Sequence, residues 1–172
     1  NPLSPAVSEQ KKPFRFLWIL PFTAFVIATT LAFRLLMRAR AFDPIRSPWE
    51  VLPGYFFIFI FAAAAALIIL GLLRSRITVI CAMIFSALFF SVTLFAYPLG
   101  YGFDPFIHQA TETYIAEHGT ITPKPFTYVG QYALIDTMHR ITDVPVIWLD
   151  RGLLPFFLIL FLPIAAALAF EH

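Results

Sequence analysis

Residues 55–73 have the sequence YFFIFIFAAAAALIILGLL, which contains no charge. A bilayer core is about 30 Å thick, and a helix needs about 17–25 apolar residues to cross it. Because lipid offers no partner for open backbone groups, a spanning stretch of this kind must be helical. Three further uncharged stretches have the same character: 16–33, 77–99 and 153–170. We therefore predict an all-α polytopic membrane protein with four transmembrane helices, at 16–33, 55–73, 77–99 and 153–170.

The composition of the 172 residues supports this class. Apolar residues make up 60% and charged residues 13%, against about 45–50% and about 25% in soluble domains. Twelve basic and ten acidic residues give a formal charge of +2, too balanced for a protein that binds nucleic acid by neutralising phosphates. One cysteine, Cys81, excludes an internal disulfide and a cysteine-ligated zinc site. We therefore expect membrane lipid as a partner and do not expect nucleic acid.

The distribution of basic residues bears on orientation. If the tail 1–15 is cytoplasmic, five basic residues lie inside and four lie in the first outer loop, which favours this orientation only marginally on the positive-inside rule. The arginines after the first span are also compatible with side chains that snorkel to the interface. The inner set is Lys11, Lys12, Arg15, Arg74 and Arg76, and the outer set is Arg34, Arg38, Arg40 and Arg46.

Residues 100–152 form a long loop between the third and fourth spans. Asp104 and Pro105 are typical of a helix start and Gly119 of a helix end, which predicts a helix over 104–118. Its apolar and polar residues lie on opposite sides, with Ile115 as the exception, as in an amphipathic helix at the membrane surface. A second, weakly amphipathic helix is predicted over 126–141.

Asp104, His108 and Glu112 follow one another at four-residue steps, which places them on one face of the first loop helix. Carboxylate oxygens suit Mg²⁺ or Mn²⁺, so Asp104 and Glu112 are candidate metal ligands. A carboxylate beside an imidazole also suits proton transfer, so Asp104 and His108 are candidate catalytic residues. The alternative is that Asp104 caps the helix while His108 and Glu112 face water.

A cationic set, Lys124, Arg140 and Arg151, is the candidate substrate-binding group. Between a surface helix and the bilayer, such side chains suit a lipid phosphate or diphosphate. Ordinary headgroup contact is the alternative.

The run Gly102–Gly119, GFDPFIHQATETYIAEHG, resembles the first external loop of GT-C superfamily membrane glycosyltransferases, especially oligosaccharyltransferase catalytic subunits. That loop combines Asp-Pro with an aromatic residue and a helix that ends in His-Gly or Asn-Gly. The resemblance implies that Asp104 binds the catalytic metal or acts as base. It covers about 20 residues. Three predicted spans precede the loop, where the family has one, and Pro105 replaces a common second acid.

The resemblance implies transfer of a sugar from a polyprenyl-phosphate-linked donor, with the chain an amino-terminal portion of a longer enzyme that is inactive alone. It also implies an external 100–152 loop and a cytoplasmic amino terminus, in a prokaryotic inner membrane. The alternative from another class is a non-catalytic membrane protein, such as a scaffold, a transporter part or a lipid-binding subunit, since the four spans contain no charge.

Overall fold

The computed structural model describes residues 17–41, 46–97, 105–120 and 128–170, and every regular element in these ranges is a helix. A short 3-10 helix, Pro48–Val51, precedes α2. The predicted all-α class is confirmed. The α-helices are α1 Ile19–Leu36, α2 Gly54–Leu72, α3 Thr78–Phe90, α4 Val92–Ala96, α5 Pro105–His118, α6 Val129–Thr142 and α7 Val146–Phe170.

Within the described ranges, four segments are long and apolar enough to cross a membrane: α1, α2, the α3–α4 pair and α7. The predicted polytopic class is therefore confirmed as well. α3 and α4 make one segment, Thr78–Ala96, interrupted for a single residue at Ser91. The Ser91 hydroxyl donates to the carbonyl of Ala87 in the preceding turn, a bond that commonly bends a helix.

The fourth segment begins earlier than its hydropathy predicts. α7 starts at Val146, whereas the apolar run starts at Leu153, because the intervening turns contain Asp150 and Arg151. Val146 and Leu149 are buried against Ile135 of α6. This packing accompanies helical structure that begins before the apolar run does.

Successive spans cross in alternate directions, so the ends of the helices fall into two groups. The carboxyl ends of α1 and α4 and the amino ends of α2 and α7 share one side, which we call the loop end. α5 and α6 connect α4 to α7 and therefore also belong to the loop end.

α1 packs most extensively on α2, and α3 on α7. Small residues line the first of these contacts: Ala28, Ala32, Ala63 and Ala66 are all buried. Lipid tails are as apolar as leucine, so close van der Waals packing between small residues is what favours association of helices in a bilayer. α7 exposes most of its surface, with only 6% of its apolar window buried.

The α2–α3 turn has a defined hydrogen-bond pattern. Arg74 adopts a left-handed φ of 49°. Its N–H donates to the carbonyl of Gly71 at 2.9 Å, and the N–H of Ser75 donates to that of Leu70 at 3.1 Å. This is the pattern of a Schellman motif, in which glycine is the usual left-handed residue.

Candidate functional site

The polar face of α5 is turned toward the protein and its apolar face is turned outward. Glu112 is only 2% exposed and Ile115 5%, whereas Phe106 is 59% and Tyr114 42% exposed. α5 packs against α6 and the beginning of α7. The expectation that Glu112 faces water as part of a solvated surface is therefore wrong, because the partner helices cover that face.

Glu112 is a buried carboxyl with only one of its oxygens partnered. Its Oε1 accepts a hydrogen bond from Nε2 of Gln131 on α6 at 3.1 Å. Its Oε2 is buried without a hydrogen-bond partner among the described residues. Burial and the nearby charge of Asp150 raise the pKa of Glu112 to about 7, against the lowering effect of the Gln131 bond. Glu112 can therefore exchange a proton at neutral pH.

Asp150, in the second turn of α7, completes a polar network between three helices. Its Oδ1 accepts from Nε2 of Gln131 at 3.2 Å and its Oδ2 from Nε2 of Gln109 at 3.2 Å. The side-chain amide nitrogen of Gln131 thus lies within hydrogen-bond distance of two carboxyl groups, those of Glu112 and Asp150. These contacts fix the separation of α5, α6 and α7.

Sequence reasoning missed Asp150, although the sequence contains a signal for it. Val146, Leu149 and Leu153 are spaced three and four residues apart, which is the apolar pattern of a helix that starts before the hydropathy window. Extending the predicted span to Pro145 places Asp150 in its first turns, at the same membrane side as α5.

His108, one turn before Glu112, lies against Tyr132 of α6 and Tyr128, the residue that precedes α6. Its Nδ1 is 3.0 Å from the hydroxyl oxygen of Tyr132, and its ring meets Tyr128 edge-on at 4.5 Å between centroids. Tyr132 is 1% exposed, and burial is the main cause that raises the pKa of its hydroxyl. The phenol remains protonated at neutral pH and orients the imidazole.

The two cationic candidates that the structure describes, Arg140 and Arg151, have different partners. Arg151 donates from one guanidinium nitrogen to the carbonyls of Leu94 and Tyr97, at 3.1 and 2.9 Å. These are carbonyls at the carboxyl end of α4, where a helix leaves such groups without partners. Arg140 pairs with Asp136 at 2.9 Å on the exposed flank of α6.

Two of the predicted site residues, Asp104 and Lys124, lie outside the described residues. Asp104 directly precedes the first residue of α5, four positions before His108. No group of three or more His, Cys, Asp or Glu residues with metal-binding geometry occurs in the described ranges. The amide of Gln131 lies between Glu112 and Asp150 and donates to both. A metal held by Asp104 and Glu112 stays a prediction.

Comparison of the chain with known protein families, with curated proteins and with solved structures finds no match. The chemistry of the cluster is therefore derived from its own side chains. They offer an imidazole oriented by a phenol, a carboxyl that titrates near neutrality and a second carboxylate, all at one end of a membrane-spanning bundle. This combination suits proton transfer at the membrane surface.

Proposed function

We propose that the chain is a portion of an integral membrane glycosyltransferase. It transfers a sugar from a polyprenyl-phosphate-linked donor at the outer face of the membrane. The observation that carries the proposal is the convergence of His108, Glu112 and Asp150 at the loop end, where α5 and α7 meet. The resemblance of residues 102–119 to the catalytic loop of GT-C enzymes supports the same assignment.

In the proposed reaction the nucleophilic group of the acceptor loses its proton and bonds to the anomeric carbon of the sugar. The bond between that carbon and the phosphate oxygen breaks, and the polyprenyl phosphate departs with the electron pair. Asp104 accepts the proton. If Asp104 instead held a divalent metal, Mg²⁺ or Mn²⁺, His108 would accept the proton, and the metal would supply charge stabilisation to the departing phosphate. His108 and Glu112 support Asp104. Glu112, whose pKa is about 7, passes a proton on at low cost.

The donor phosphate is assigned to cations of the loop. Lys124 and Arg140 are proposed as its contacts, with the phosphate competing with Asp136 for the exposed Arg140 guanidinium. Arg151 is engaged with backbone carbonyls of α4, so its contribution is to hold the start of α7 in position. Tyr128 is exposed beside His108 and offers a ring face for a sugar or a prenyl chain.

The proposal includes an orientation and a location. The tail 1–15 is cytoplasmic and the 100–152 loop is external, in a prokaryotic inner membrane. The basic residues at the two ends of the spans support this orientation, five against four.

The proposal is tested in the full-length protein in membrane vesicles, with a radiolabelled polyprenyl-phosphate-linked hexose as donor. The readout is the polyprenyl phosphate released, which reports turnover for any acceptor. We expect Asp104→Asn to reduce turnover at least about 100-fold and His108→Gln to reduce it less. Glu117→Gln, an exposed acid of the same helix, is the control. Wild-type turnover in Asp104→Asn contradicts the assigned role.

One observation favours a second candidate, a non-catalytic membrane protein in which α5 is a strut. Glu112 is 2% exposed. The amide of Gln131 donates to Glu112 and Asp150 and that of Gln109 to Asp150, as in a structural network. This candidate predicts no donor turnover in any variant and a loss of thermal stability when either glutamine is changed to leucine.

A further inference from the structure

A second cluster of cationic and apolar side chains lies at the loop end, on the seam between α1 and α2. It forms an open cavity of about 400 Å³, a volume within the range of small-ligand sites. It shares no residue with the site at α5–α7. The cavity is lined by Leu31, Arg34, Leu35, Arg38, Tyr55 and Phe59.

The two arginines of this cavity have no acidic partner among the residues that the structure describes. Arg34 lies in the last turn of α1 and Arg38 follows one turn later. In the described part of the chain neither guanidinium has an ion-pair or hydrogen-bond partner. Two exposed guanidinium groups one turn apart repel each other unless an anion lies between them, and their planar donor forks match phosphate oxygens.

The opposite wall of the cavity also favours an anion. Tyr55 is the second residue of α2, and the amino end of α2 has no side-chain cap at Pro53. The first amides of a helix carry partial positive charge and point outward. Tyr55 lines the cavity and is 54% exposed, and its hydroxyl is a further donor.

Deeper in the cavity the lining becomes apolar. Leu31 is one turn further into the span than Leu35, and Phe59 is one turn further than Tyr55. Apolar side chains do not stabilise a bound soluble anion. A lipid, in contrast, presents phosphate at the interface and an acyl chain directly beneath it. The lining of the cavity therefore changes from cationic to apolar in the same direction as a lipid molecule changes from its phosphate headgroup to its acyl chain.

We propose that the α1–α2 cavity binds an anionic phospholipid from the surrounding bilayer. The guanidinium groups of Arg34 and Arg38 hold the phosphate, and the acyl chain lies along Leu31, Leu35 and Phe59. Simple snorkelling of the arginines differs from this in one respect, because it places the charges in the headgroup region without selecting a lipid. The site does not depend on the proposed glycosyl transfer.

The first test measures lipid retention by native mass spectrometry of the purified chain, released from nanodiscs of phosphatidylglycerol and phosphatidylcholine with identical acyl chains. We expect the wild-type chain to retain phosphatidylglycerol preferentially. The double variant Arg34→Gln/Arg38→Gln should weaken this preference about 30-fold, from the usual contribution of each basic residue near an anionic surface. Arg74→Gln/Arg76→Gln, at the opposite end of the bundle, should leave it unchanged.

The outcomes separate the possibilities. An equal loss in both double variants indicates attraction by overall charge and overturns the site. An unchanged preference in Arg34→Gln/Arg38→Gln also overturns it. If inorganic phosphate at millimolar concentration displaces the lipid from the wild-type chain, the ligand is a free anion, and the lipid proposal is wrong.

The second test needs no substitution and therefore does not depend on the folding of a variant. A phosphatidylglycerol with a diazirine in its acyl chain is photolysed with the wild-type chain in nanodiscs, and the labelled peptides are identified. We expect labels concentrated in residues 31–38 and 55–59. Labels spread evenly over the four spans contradict a defined site.

Discussion

Glu112→Gln is expected to stabilise the protein at neutral and alkaline pH. The substitution keeps the shape of the side chain and the oxygen that accepts from Gln131, but it removes the charge. In the wild-type chain that charge is buried, with one oxygen unpartnered among the described residues. Ionisation of Glu112 therefore costs free energy in the folded state that it does not cost in the unfolded state.

The magnitude follows from the two pKa values. The pKa of Glu112 is about 7 in the folded protein, against 4.5 as its ordinary value, and each unit corresponds to about 1.36 kcal/mol. The wild-type chain is therefore destabilised by up to about 3 kcal/mol above pH 7. The sign is that of an acid with a raised pKa: the full stability is present below pH 4.5 and is lost as the pH rises through 7.

The assay is thermal unfolding in a mild detergent between pH 4 and 8.5. We expect the Tm of the wild-type chain to fall over pH 4.5–7 relative to that of Glu112→Gln, and the two curves to run parallel above pH 7. A difference of about 3 kcal/mol corresponds to roughly 6–12 °C for a chain of this size. Glu117→Gln, whose side chain is 66% exposed, is the control and should follow the wild-type curve.

The difference between the two curves isolates Glu112, because all other titrating groups are common to both proteins. A constant difference across the whole pH range refutes the reasoning. It would mean that the pKa of Glu112 is the same in the folded and unfolded states.

Three further predictions concern contacts at the two ends of the bundle. Asp150→Asn removes the charge that helps to raise the pKa of Glu112, so the pH-dependent fall in Tm should move to lower pH, and an unmoved transition argues against coupling of the two carboxyls. Arg151→Gln removes two charge-assisted hydrogen bonds to carbonyls of α4 and should lower the free energy of unfolding by about 2–4 kcal/mol. Arg140→Gln, which breaks an exposed pair, should lower it by less than about 0.5 kcal/mol, and equal losses in a urea titration would contradict the anchoring role. Arg74→Gly relieves a left-handed φ of 49° and should raise the free energy of unfolding by about 1 kcal/mol, with Arg74→Ala as the matched control that should not.

Much of the fold could be predicted from the sequence because the bilayer imposes a simple requirement of length and apolarity. The four uncharged runs locate the spans. Local chemistry also located the end of α5: Gly119 has a left-handed φ of 70°, and its N–H donates to the carbonyl of Ile115 at 2.7 Å.

The candidate site could be predicted only in part, because its assembly depends on packing between elements distant in sequence. The four-residue spacing placed His108 and Glu112 on one face of a helix, and the structure has both on the inward face of α5. Hydropathy alone predicts that the fourth span begins at Leu153, which places Asp150 in the preceding loop. The network is completed by Gln131 and Asp150, which lie 19 and 38 positions after Glu112. The spacing of residues within α5 does not indicate either of them.

α5 has an apolar outward side and a buried acid on its inward side. Its outward side carries Phe106, Ile107 and Tyr114, each more than 40% exposed, and its inward side holds a buried acid. Excised from the bundle and placed in buffer, the α5–α6 hairpin would be inside-out: hydrophobic rings toward water and ionisable groups at its centre. We expect such a peptide to aggregate or refold, so ligand screens of this region require the intact chain with its lipid or detergent shell.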